Sequence, residues 1–412
     1  MTLLSRRAVV QVFLAFALAY FLSALIRAIT ATLSPVLMQE FSLQARDLGL
    51  LGGAYFLGFS MTQLPLGTWL DRHGPRRVLL GFLTVAVVGC LAFAAAPNLP
   101  GLFAARMLCG VGVSACLMAP LTGYRRWLSP AAQMRSNAWM LMTGSMGMVA
   151  STLPVQWLMP ILGWRPLFVL LAGLIALAMV GIAATVPAWN APASGATPAP
   201  APAQEGYAQV WRHPYFRALV PLGFFCYGGL VAVQTLWAAP WMVTLAGHDA
   251  LQAATGMFWI NVAMLCAFWS WGVATPWLVR HGWPADRLMI WGLPLSFLVL
   301  GATIVCTPWL PGAAAGMLAA FCVTCSCVTL SQPAVGMAFP PALAGRALSA
   351  FNLVIFLGVF VVQWSIGLLI DGLGALGLAR SASFQVAMAM FLVCCIAAYG
   401  WFLRAAGHNR PA

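Results

Sequence analysis

Gly67-Thr68-Trp69-Leu70-Asp71-Arg72-His73-Gly74-Pro75-Arg76-Arg77 is a short charged stretch set between two long apolar runs. A degraded copy, Trp277-Leu278-Val279-Arg280-His281-Gly282, follows 208 residues later. A charged, glycine-bearing loop repeated at that interval means that the chain is two related halves. The apolar runs on either side place both halves in a membrane.

Composition agrees. Of 412 residues, 62% are hydrophobic and only 7% charged, too little polar surface to cover a globule in water. Apolar stretches of about 20 residues, the length needed to span, fall near 9–34, 48–69, 78–96, 101–123, 137–160, 166–187, 216–245, 252–278, 288–307, 312–337, 349–370 and 384–403. The expected fold is therefore an all-α membrane protein with twelve transmembrane helices.

The net charge of +13 invites a nucleic-acid partner, but the positions of the basic residues account for it without one. All 20 are Arg, a usage that fits a GC-rich bacterial genome. With a cytoplasmic N-terminus, 15 fall on the cytoplasmic side, and only Arg46, Arg165 and Arg380 lie in outer loops. Arg27 and Arg106 are inside spans. This asymmetry orients the chain in an inner membrane with both termini cytoplasmic. Ser5-Arg6-Arg7 and the run behind it read as an uncleaved first span, too long for a signal peptide. The 11 cysteines lie almost wholly inside spans, as small apolar residues and not as a disulfide framework.

One low-complexity stretch, residues 188–206, is rich in Pro and Ala and cannot bury a core. It reads as a linker leading into a short interfacial helix over 207–215. The expected organisation is an N-terminal bundle over 1–187, a cytoplasmic linker over 188–215 and a C-terminal bundle over 216–412. Further repeat matches occur at an offset of 207: Tyr20 with Tyr227, Arg27 with Gln234, and Gln156-Trp157 with Gln363-Trp364.

The Gly67–Arg77 stretch resembles the loop between the second and third helices of the major facilitator superfamily, G-x-x-x-D-R-x-G-R/K-R/K. The resemblance implies two pseudo-symmetric six-helix bundles working by alternating access, with substrate held between them near the midplane. It also implies that Gly67, Asp71, Arg72, Gly74, Arg76 and Arg77 form a cytoplasmic gating latch. Asp71 would end a span and open a short loop, meeting a helix N-terminus and nearby Arg residues. Gly67 would admit a closely packed helix and Gly74 would permit a turn closed to other residues. Val279 replaces the Asp in the second copy, so that latch is expected to be weaker.

Tyr20, Ser23, Arg27, Thr30 and Ser34 recur at a spacing near 3.5 and so share one face of the first span. A polar stripe on an apolar span faces a bundle interior or a watery cavity. Arg27 also lies only about 13 Å from the outer end of the span at 1.5 Å per residue, within reach of the headgroups. The resemblance adds that the first, fourth, seventh and tenth spans line the central cavity, so Tyr20, Arg27, Thr30, Tyr227, Gln234 and Gln332 are the candidate substrate contacts. Arg106, in Arg106-Met-Leu-Cys-Gly110-Val-Gly112-Val-Ser-Ala115, resembles a fourth-span pattern found in proton-coupled members and is a candidate for coupling, or else a structural or snorkelling residue. The fifth span lacks the G-P-x-x-G-G signature of drug–proton antiporters.

All seven acids, Glu40, Asp47, Asp71, Glu205, Asp249, Asp286 and Asp371, fall at span ends or in loops, so the charge inside the membrane is only positive. An incoming carboxylate or phosphate pairs bidentately with an Arg held in low dielectric. The function expected is transport of a small solute, an organic anion favoured, by a monomer surrounded by lipid, without a cofactor and without nucleic acid. Within transport the rivals are drug or neutral-solute efflux and, from Cys322, Cys325, Cys327, Met142 and Met146, uptake of copper or another transition metal. From another class, the rival is a non-transporting membrane sensor. No nucleophile–base constellation, H-E-x-x-H or phosphate loop is present, so no enzyme is expected.

Overall fold

A computed structural model describes residues 4–189 and 203–408, and within them every regular element is a helix. Ten helices are each long and apolar enough to cross a membrane: Arg6–Glu40, Gln63–Ala95, Leu99–Trp127, Trp164–Thr185, Pro214–Leu245, Ala250–Arg280, Ala285–Cys306, Pro311–Met337, Leu343–Ala375 and Arg380–Ala405. The second and fifth expected spans are divided. The second is Ala45–Met61 followed by the part of Gln63–Ala95 before the non-helical Gly74, and the third is the part after it. The fifth is Pro130–Ala150 followed by Leu153–Leu162, broken where Thr152 leaves helical geometry at φ −104° and ψ −112° just before Pro154. Counted as passages, these helices give the twelve expected.

The positive-φ residues expose the repeat in the backbone. They are Ser42, Gly74, Gly163, Gly247, Gly282 and Gly377. Taken in order they pair as Ser42 with Gly247, Gly74 with Gly282 and Gly163 with Gly377, at separations of 205, 208 and 214 residues. Each ends a corresponding passage of the two halves. Left-handed backbone is costly for residues other than Gly, so its recurrence marks the same turns used twice.

Contacts divide the chain into two compact units, Met1–Ile29 with Ala54–Ala201 and Thr30–Gly53 with Pro202–Ala412. In the first, glycines set how closely the second, third and fourth spans pack. A Cβ on Gly110 would collide with the Tyr55 carbonyl, one on Gly112 with the Ala86 backbone, and one on Gly58 with the Met107 carbonyl. Small residues that let helix backbones approach are the usual device in lipid, where burial of apolar surface does not itself drive helices together. The Arg106-x-x-x-Gly110-x-Gly112 spacing thus has a packing reason. Phe93 fills the space toward the sixth span, with its ring centroid 4.3 Å from Phe168 and 5.6 Å from Trp164.

In the second unit the seventh span contains two π-helical turns, Leu222–Tyr227 and Val233–Trp237. It packs on the eleventh span where Gly358 meets the Phe224 carbonyl and Gly228 meets the backbone of Gly358 and Val359. Trp237 and Trp241 are fully buried, their indole nitrogens donating to the Gln363 carbonyl at 3.1 Å and to Thr307 Oγ1 at 3.2 Å. Asp371 accepts from the amides of Ala45 and Arg46 at 3.2 and 2.8 Å, capping the helix that starts there. The interfacial helix expected over 207–215 is present as Ala203–Arg212, followed by Pro214 opening the seventh span. Burial raises the phenol pKa of Tyr207, against the pull of the Arg346 charge.

Gly110→Ala and Gly112→Ala are each expected to destabilise the protein by about 1–3 kcal/mol, the usual cost of overpacking. Gly67→Ala should be neutral, because a Cβ there meets nothing within 4 Å. Thermal unfolding of the purified variants in detergent checks the contrast, and equal losses at all three positions would contradict it.

Candidate functional site

The polar stripe of the first span becomes a compact cluster in the first unit. The Tyr20 and Tyr55 hydroxyls are hydrogen-bonded to Arg27, and the Tyr55 hydroxyl donates to the Ser23 carbonyl at 3.3 Å. The Arg27 guanidinium also stands over the Phe59 ring, 5.7 Å from its centroid. Tyr55 and Phe59 are one helical turn apart, so both rings present to Arg27 from one face of the second span. Tyr20 and Tyr55 are buried, whereas Arg27 is half-buried. The cluster therefore surrounds part of the guanidinium, whose Nε is buried. Phenol oxygens accept hydrogen bonds from a guanidinium as neutral groups.

Gly144 of the fifth span makes room for this arrangement. A Cβ there would lie 2.5 Å from Cε1 and 2.8 Å from Cζ of Tyr20. Tyr55, Phe59 and Gly144 were not among the residues predicted from sequence. The signal available was the Tyr55/Phe59 spacing, but which ring meets which charge depends on helix packing that no linear pattern contains.

Arg106 differs from Arg27. It is completely buried, donates from Nη1 to the Ile26 carbonyl at 2.9 Å, and lies over the rings of Tyr55 and Phe93 at 5.3 and 6.0 Å. Its Nε and Nη2 have no hydrogen-bond partner among the described residues. Such a side chain does not reach out to headgroups; it ties the fourth span to the first through a carbonyl and two aromatic faces.

In the second unit, Gln234 lies in a π-helical turn, a feature that recurs at functional sites. Its amide donates to Asn261 Oδ1 at 2.9 Å, and Asn261 in turn donates to the Met257 carbonyl at 2.9 Å. Gln332 is hydrogen-bonded to Asn352. The two amide pairs are separate couples. Gln363 donates to Thr235 Oγ1 at 3.1 Å beside the Gln234 turn. Tyr227 is half-buried, and Thr30 is buried at 2% exposure. No three His, Cys, Asp or Glu side chains are grouped to hold a metal ion among the described residues.

The gating segment departs from expectation in two respects. No open loop follows Asp71: the helix continues through His73 and is kinked only at Gly74, with φ 77° and ψ 163°. Gly67 is exposed with open space where a Cβ would point, so it admits no close helix. Asp71, Arg72 and Arg77 are exposed, and Arg125 is the cation whose charge reaches the Asp71 carboxylate. Arg76 donates to the Ala183 carbonyl at 2.5 Å, fastening the segment to the end of the sixth span.

Gly144→Ala is expected to displace the Tyr20 phenol from Arg27, raising KM by about tenfold with a smaller change in kcat, as loss of a positioned contact does. Uptake kinetics in proteoliposomes measure both. A wild-type KM would show that Tyr20 does not set the position of Arg27.

Comparison with known proteins agrees with this architecture. The family model of the Major Facilitator Superfamily matches residues 16–362. A 4-hydroxybenzoate transporter, PcaK of Pseudomonas aeruginosa, is 28% identical over 159 residues, 39% of this chain. That match spans only 35% of the relative's length. Among solved structures, a bacterial homolog of the human lysosomal transporter Spinster, inward-facing and unoccupied, superposes with a TM-score of 0.79 at 17% identity, covering 98% of each chain. A D-xylose–proton symporter superposes at 0.74 with 16% identity over 94% of this chain and 96% of that one. The twelve helical passages, the doubled positive-φ turns and the family match over most of the chain lead to one assignment: this protein is a transporter of the Major Facilitator Superfamily.

Proposed function

We propose that the solute carried is a small organic anion, with an aromatic carboxylate as the favoured class, and that Arg27 is its principal anchor. The reading takes the two halves as bundles over 1–187 and 216–412, joined by the 188–215 linker in the bacterial inner membrane with both termini cytoplasmic. Its carrying observation is the half-buried Arg27 side chain inside the first span, set beside two phenols and the Phe59 ring. A carboxylate supplies the paired acceptors that match a guanidinium fork, and the surrounding rings suit an aromatic body. The partial match to a transporter of 4-hydroxybenzoate supports the same class.

The acids are placed consistently with this. Asp47 and Asp249 accept from backbone amides at helix starts, Asp286 accepts from Tyr215 at 2.7 Å at the start of the ninth span, and Asp371 caps the second. They serve as helix-end acceptors, away from the middle of the spans. A cation entering there would meet dipoles and positive charge.

The test is uptake of labelled 4-hydroxybenzoate and of 4-hydroxybenzamide into proteoliposomes containing wild-type protein or Arg27→Gln, the residue at the repeat position 234. Loss of a charge-assisted hydrogen bond is worth about 1.5–3 kcal/mol, so anion affinity should fall by about 10- to 100-fold. Affinity for the amide should change little, and Arg27→Lys should recover only part of the loss because it lacks the planar fork. Saturable transport of a permanent cation, undiminished in Arg27→Gln, would overturn the anion reading in favour of efflux of cationic solutes.

A further inference from the structure

The kink at Gly74 is occupied from outside its own helix. A Cβ on Gly74 would fall on Cβ and Cγ of Trp189 and lie 2.8 Å from its Cδ2, so the indole sits in the space that the missing side chain leaves. The Arg126 guanidinium stands over the Trp189 ring at 4.5 Å, and Trp127 meets it edge-on with centroids 6.3 Å apart. Trp189 is half-buried, and its Nε1 is buried without a hydrogen-bond partner among the described residues. An indole that gives up a hydrogen bond to lie against a glycine is held there by ring packing and the cation above it. Residues 188–206 were expected to bury nothing, so this contact is absent from any reading of composition.

Two fastenings now converge on the gating segment. Arg76 is bonded to the carbonyl of Ala183, and six residues further along the same chain Trp189 fills the Gly74 kink. The segment cannot straighten or swing away from this position without expelling the indole or dragging residues 183–189 with it. Gly74 therefore has two duties: its positive φ allows the kink, and its bare face seats the ring.

We propose that Trp189 is a positioning residue for the Asp71–Arg77 segment, clipping the start of the inter-half linker to the cytoplasmic latch so that the two move together. The inference rests on the reading of that segment as a latch, and it adds a residue outside the motif that determines where the latch sits. Arg126 is the second member of the clip, and Trp127 bounds the ring on its remaining side.

Two measurements on purified full-length protein separate the clip from the latch. Trypsin cleavage after Arg76 and Arg77, followed by mass spectrometry in detergent, reads how often the segment opens. Trp189→Ala should raise that cleavage rate by about tenfold, Arg126→Gln by less, and Trp189→Phe by no more than about twofold, since a smaller ring still fills the seat. In proteoliposomes, Trp189→Ala should lower kcat with KM unchanged, because the residue is remote from Arg27, and Trp189→Phe should restore it. Gel filtration monitors folding; should Trp189→Ala prove unfolded, the graded order of Arg126→Gln and Trp189→Phe carries the test. Wild-type cleavage rates in Trp189→Ala, or in Arg126→Gln should Trp189→Ala prove unfolded, would overturn the clip. Unchanged kcat in Asp71→Asn would instead overturn the latch, and faster cleavage in Trp189→Ala would still uphold the clip.

Discussion

A guanidinium within a membrane-spanning bundle has to be satisfied by whatever the surrounding helices can offer, and in this chain they offer no carboxylate at mid-span. Arg106 finds one carbonyl of the first span and the faces of Tyr55 and Phe93, while its Nε and Nη2 have no hydrogen-bond partner among the described residues. Arg27 is held by the phenols of Tyr20 and Tyr55 above the ring of Phe59. Much of the first unit is arranged around these two demands. Gly110 and Gly112 bring the fourth span near enough to the second and third for Arg106 to reach across, and Gly144 thins the fifth so that Tyr20 can turn toward Arg27. Tyr55 contacts both Arg side chains, the fully buried Arg106 and the half-buried Arg27.

The same constraint explains the division of labour between the two units. In the second, the repeat partner of Arg27 is Gln234, and the interior is built from neutral amides, hydroxyls and thiols. Neutral groups can satisfy one another, so Gln234 pairs with Asn261 and Gln332 with Asn352. The π-helical turns of the seventh span displace its backbone register where Gln234 emerges. The polar interior of the first unit thus contains two Arg side chains, and that of the second contains paired neutral amides.

Linear pattern carried much of this and failed at identifiable places. The repeated Gly74 and Gly282 segments, the polar stripe from Tyr20 to Ser34 and the absence of mid-span acids are properties of spacing and composition, and each is legible in the chain itself. The role given to Gly67 does not hold among the described residues, where nothing lies within 4 Å of a Cβ placed there. The open loop expected after Asp71 is instead helical through His73, and non-helical Gly74 separates that helix from the next, because one positive-φ residue suffices for the turn. Tyr55, Phe59, Gly144 and Trp189 were missed for a common reason. Each matters through what another segment places against it, and that depends on packing between segments distant in sequence.

The central claim is that Arg27 receives an anion. A structure of the protein with 4-hydroxybenzoate bound tests it most directly. The account predicts the carboxylate on the Arg27 guanidinium, both oxygens at about 2.7–2.9 Å from its nitrogens, with Tyr20 and Tyr55 still in contact with that side chain. A ligand whose carboxylate lies elsewhere, with the Arg27 cluster unchanged from its present arrangement, would contradict it.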